Sequence, residues 1–95
     1  MTRNLPFEVL RHLRAQGRTL ATAESCTGGL IGKLLTDVPG SSEVYMGGVI
    51  SYTNGVKHRL LGVSEDTLRV YTAVSRQTAH EMARGAREAV QADIG

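Results

Sequence analysis

At 95 residues, with 41% hydrophobic and 21% charged side chains, the chain is sized for one small globular domain and is too apolar for a disordered segment. Its single cysteine excludes an internal disulfide framework and any multi-cysteine zinc site, and no apolar run approaches the ~20 residues that span a bilayer. The net charge is only +2, and nine of the eleven basic residues are arginines scattered among acids, a balance that fits solvated helix faces better than a nucleic-acid footprint.

In chain order, LPFEVLRHLRAQG carries an apolar helical stripe of Leu5, Val9, Leu10 and Leu13, closed by Gly17 as a C-terminal cap. The segment before and through it has no secretory h-region, which predicts a cytoplasmic protein. RTLATAE reads as a short strand around Leu20 and Ala21. The stretch SCTGG follows, and LIGKLLTDV continues as a helix ended by Pro39-Gly40. EVYMGGVISYT is the most strand-like segment, with Gly47-Gly48 predicting a bulge or a close backbone approach.

NGVKHRLLG reads as a short helix capped by Thr53 or Asn54 and stopped by Gly62, and Ser64 and Ser75 look like further N-caps. In the last helix Ala79, Met82, Ala83, Ala86, Ala89 and Val90 line one face, small enough for close packing on a sheet. Ile94 then begins a strand just as the sequence stops. The αβαβαα order with short connections predicts a layered α/β domain, and two or three strands are few for one, so the chain reads as the first part of a larger domain.

AESCTGG sits where a strand turns into a helix. Such a turn puts Ser25 at a strand's C-terminal edge, beside helix N–H groups that attract an anion or a developing oxyanion. A plain strand–helix turn with a capping hydroxyl fits the same pattern. It is not G-x-S-x-G, because Ala23 and Thr27 flank Ser25 at the glycine positions, and it matches neither the P-loop nor the dinucleotide fingerprint. A serine nucleophile also needs a base. His12 and His80 lie on helices where packing or solvent explains them, and His58 in NGVKHRL has no acidic partner that stands out. Lys57, one of two lysines, lies just beyond the strand that carries Tyr52; away from bulk water it can serve as a base, and on an exposed helix face it is only a solvated charge. Strand alternation predicts Ser25 facing outward and Cys26 inward as a small core residue.

The combination AESCTGG, PGSS, GVISYTNGVK, LGV and AVS resembles the C-terminal domain of the CinA competence/damage-inducible proteins, over about Leu20 to Ile94. The resemblance implies a three-layer α/β/α fold with a small mixed sheet, here truncated at the C-terminus, so that residues 1–95 form the N-terminal portion of one domain. It implies an amidohydrolase that converts nicotinamide mononucleotide to nicotinate mononucleotide and ammonia, without a metal or other cofactor, and a homo-oligomer; no membrane or nucleic-acid partner is expected. The family's nucleophile falls on Ser25 and its tyrosine and lysine on Tyr52 and Lys57. Its second functional serine falls on Ser42, which would bond the substrate or the lysine. The backbone of Thr27, Gly28 and Gly29 would hold the oxyanion or the substrate phosphate. A truncated homologue that only binds a nucleotide or a protein is the alternative. Two departures from the family stand out. The strand and Gly-rich loop that usually follow Ile94 are missing, and Thr72 stands where the family usually has glycine before AVS.

Overall fold

The protein is described by a computed structural model covering residues 4–95. Asn4 accepts a bond from the Phe7 N–H (3.2 Å) and opens α1 (Leu5–Gln16), which Gly17 closes in the left-handed conformation, φ 66°. β1 (Leu20–Glu24) leads through the turn 25–29 into α2 (Leu30–Thr36). A 3₁₀ turn (Ser41–Glu43) precedes β2 (Tyr45–Ile50). α3 (Asn54–Leu61), α4 (Glu65–Tyr71) and α5 (Arg76–Val90) follow, capped by the side chains of Thr53, Ser64 and Ser75.

β1 and β2 pair in parallel, from Leu20 opposite Tyr45 to Glu24 opposite Ile50. On the other side of β1 the Ala21 N–H donates to Ile94 (2.9 Å) and the Ile94 N–H donates to Thr19 (3.0 Å), a third parallel neighbour one bridge long. Asp93 clamps this junction: its carboxylate accepts from the Thr19 N–H at 2.8 Å, and its own N–H donates to the Thr19 hydroxyl at 3.0 Å. Every pairing among the described residues is parallel, where the resemblance implied a mixed sheet.

Alternate residues of β1 serve opposite faces. Ala21 packs with Leu61, Val63, Met82 and Ala86 beneath α3 and α5. Leu20 joins Leu10, Leu13, Leu35 and Val44 beneath α1 and α2. Helices therefore cover both faces, giving the three layers expected.

Two details differ from expectation or sharpen it. The buried stripe of α5 is Thr78, Met82, Gly85 and Ala86, while Ala79 and Ala89 are exposed. Gly85 is the contact point, since a methyl group there would run into the Leu61 carbonyl of α3. Thr72 has φ 68° and ψ 174°, a backbone region that glycine occupies freely and threonine does not. Its carbonyl is held by the hydroxyls of Thr78 (2.7 Å) and Ser75 (3.2 Å).

Candidate active site

The turn between β1 and α2 is built for tight reversal. Gly28 (φ 63°) and Gly29 (φ 108°) both take conformations that disfavour a side chain, which explains the glycine pair. The Gly28 N–H bonds to the Ser25 carbonyl at 3.1 Å and the Leu30 N–H to Thr27 at 3.1 Å. Ser25 is thereby left half-buried just past the end of β1.

Lys57 comes to Ser25 from the first turn of α3. Only 1% of it is exposed, and its Nζ donates to Ser25 Oγ at 2.9 Å, the Ser51 carbonyl at 2.8 Å and the Tyr52 carbonyl at 3.2 Å. Three donors meet three acceptors, and no carboxylate is among them. For a neutral amine the same geometry is selective. The two carbonyls accept and cannot donate, so its two N–H bonds go to them and its lone pair faces the Ser25 hydroxyl. That arrangement can receive the Ser25 proton as the oxygen attacks.

Two further residues, neither singled out by sequence reasoning, hold this pair. Ser51 is fully buried, and its N–H donates to the Glu24 carbonyl at 2.7 Å. Glu24 is 4% exposed, and its carboxylate accepts from the Ile31 and Gly32 N–H groups of α2, each at 2.9 Å. Burial works against the charged form of Glu24. The bonds from Gly32 and Ile31, with Thr27 and Gly29 behind them, outweigh it and hold the carboxyl below its usual range.

The N-terminus of α2 is occupied from within the chain. α2 has no side-chain cap from Gly29, and its free N–H groups converge on Glu24, not on solvent. The Gly28 N–H is committed to Ser25, and Gly29 faces Glu24. Among the described residues of the turn, the N–H groups of Ser25, Cys26 and Thr27 carry no such bond.

Tyr52 meets Lys57 through its main chain, and its side chain, 76% exposed, lies at the surface. Ser42 does not join the group. It is an exposed residue of the 3₁₀ turn before β2, whereas Ser25 and Lys57 gather beyond the other end of that strand, roughly 20 Å away at ~3.3 Å per residue. Cys26 is exposed, not inward: residues 25–29 form a turn, and strand alternation does not extend through it. His58 bonds the Val63 carbonyl through Nδ1 (2.8 Å), and His12 and His80 are exposed on their helices, so none serves Ser25.

The family model for the CinA C-terminal domain matches residues 2–95. The chain belongs to this family. Among curated CinA relatives, a CinA-like protein of Leptospira borgpetersenii is 56% identical over 86 residues, covering 90% of this chain, and one of Thermotoga neapolitana is 51% identical over the same length and share. A solved CinA superfamily protein of Escherichia coli superposes with a TM-score of 0.92 at 39% identity, over 95% of this chain. The chain spans 21% of each of those two curated CinA-like proteins and 52% of that solved chain. No helix among the described residues is long and apolar enough to cross a membrane.

Proposed function

We propose that the chain carries the nucleophilic centre of an amidohydrolase that cleaves the carboxamide of nicotinamide mononucleotide. What supports the chemistry is one observation, the 2.9 Å bond between a buried Lys57 amine and the Ser25 hydroxyl. What supports the substrate is the family resemblance.

In this reading Ser25 Oγ attacks the amide carbon while Lys57 takes its proton. The oxyanion sits against the Cys26 and Thr27 N–H groups. Lys57 passes the proton to the amide nitrogen, the C–N bond breaks and ammonia leaves. Water then gives a proton to Lys57, attacks the acyl carbon and releases nicotinate mononucleotide, and Ser25 recovers its proton. Tyr52 walls the mouth and orients the ring or relays a proton. Ser42 contacts substrate only in a homo-oligomer that brings the Ser42 end of one copy to the Ser25 mouth of another. The protein works in the cytoplasm.

Ammonia release from nicotinamide mononucleotide, with Ser25→Ala as the blank, tests this directly. Release above the blank is expected. A wild-type rate equal to the blank overturns the amidase reading, and nucleotide-dependent thermal stabilisation without turnover would then make the chain a binding module.

A further inference from the structure

The sequence pattern offers the N-terminus of α2 to a ligand, but the protein fills that position itself. We propose that Glu24 is a positioning residue for Ser25, an internal anion whose carboxylate takes the place a substrate phosphate would have had; the activity arm of its test rests on the amidase reading.

The argument begins with where Glu24 is tied. It immediately precedes Ser25 in the chain, and its carbonyl accepts from Ser51 twice, from N–H at 2.7 Å and from Oγ at 3.4 Å. Its carboxylate reaches forward to Ile31 and Gly32 at 2.9 Å each. The turn 25–29 is thus closed into a ring by one side chain, with Ser25 at its start and α2 at its end. Ser51 extends the restraint, because its own carbonyl accepts from Lys57 Nζ at 2.8 Å. Nucleophile and base are therefore registered through the same two residues.

The surroundings are cut to this arrangement. At Gly32 an added methyl would lie 2.9 Å from the Tyr45 hydroxyl and 3.4 Å from Glu24 Oε2, so the carboxylate's berth depends on the absent side chain. The ionised form suits the task, since each oxygen accepts one N–H; a glutamine would turn its NH₂ toward one of those donors. Because these N–H groups are consumed, a nucleotide's phosphate must be held by other groups.

Two variants and two readouts test this. Backbone hydrogen exchange at Gly28 and Leu30, whose N–H groups close the turn, is measured in wild type, Glu24→Gln and Glu24→Ala. Faster exchange there, with the amides of α5 unchanged, is expected in both variants and needs no activity. Unchanged protection overturns the proposal whatever the enzyme does. In the amidase assay, run well below the melting temperature, Glu24→Ala should lower kcat by about 10²-fold with KM little changed, as misplacement of a nucleophile does. Added formate, but not chloride at equal ionic strength, should restore part of that loss by filling the vacated position. A loss confined to KM, or rescue by chloride alone, would sink the positioning role. Wild-type protein that is inactive would fell the amidase reading and leave the exchange measurement to decide this one.

Discussion

Lys57 is buried among neutral oxygens, so its loss should separate activity from stability. Lys57→Met keeps the aliphatic stem and removes an amine that is costly to desolvate, while the two carbonyls lose a donor. We expect ammonia release to fall to the Ser25→Ala blank with no decrease in the urea midpoint; a clear decrease would mean that the amine is needed for the fold. Cys26 offers a second residue-scale test. Being exposed next to Ser25, it should react with a maleimide in the native state, and the adduct should block turnover while leaving the melting curve in place. Resistance of the native thiol to labelling would show it to be covered. Thr72 carries the strain that the missing glycine predicts. Thr72→Gly should raise the unfolding free energy by about 1 kcal/mol, read from a higher urea midpoint at unchanged slope.

Between elements, packing depends on small residues more than on large ones. Gly85→Ala pushes a methyl into the Leu61 carbonyl and should cost about 1–3 kcal/mol, measured by the same denaturation, because neither α3 nor α5 can retreat without opening the Ala21, Val63 and Ala86 cluster. Local signals in the sequence reach this scale well. The caps at Thr53, Ser64 and Ser75 and the stops at Gly17 and Gly62 all act within a few residues, and all stand as expected. Glu24 escaped notice because its partners are the Ile31 and Gly32 N–H groups, which come within reach only after the turn has folded back. Ser51 depends on the parallel register of β1 and β2, and Ser42 is displaced for the same reason: pairing Leu20 with Tyr45 puts the PGSS turn at the opposite end of the sheet from Ser25. Inter-strand register is not written in any single segment.

For the whole molecule, three carboxylates share one sign of pH dependence. Glu24, Glu81 and Asp93 are held below their usual values: Glu24 despite its burial, through the N–H groups of α2, Glu81 by Thr67 and Ser64, and Asp93 by Thr19. Folding therefore favours their charged forms, so their contribution is complete above the ordinary values near 4.5 and 3.8 and drains away as the pH falls through and below them. Stability should be flat near neutrality and fall steeply under acid, and Glu24→Gln should shallow that fall; a Glu24→Gln protein with the wild-type acid slope would remove Glu24 from the account. Beyond the Ile94 bridge the same sheet opens into an apolar groove of about 590 Å³, lined by Leu5, Val9, Ile31 and Leu34 on one side and Ala83 on the other.

The Thr19–Asp93 clamp joins positions 74 apart in a chain of 95, so forming it closes a loop of most of the polypeptide. Closing so long a loop is an entropic toll levied late, against a reward of one bridge and a few hydrogen bonds. The sheet should therefore assemble from β1 and β2 outward, with the Ile94 end docking last and fraying first, and the β1 edge would be laid bare in every excursion from the native state while Ser25 and Lys57 still stand together.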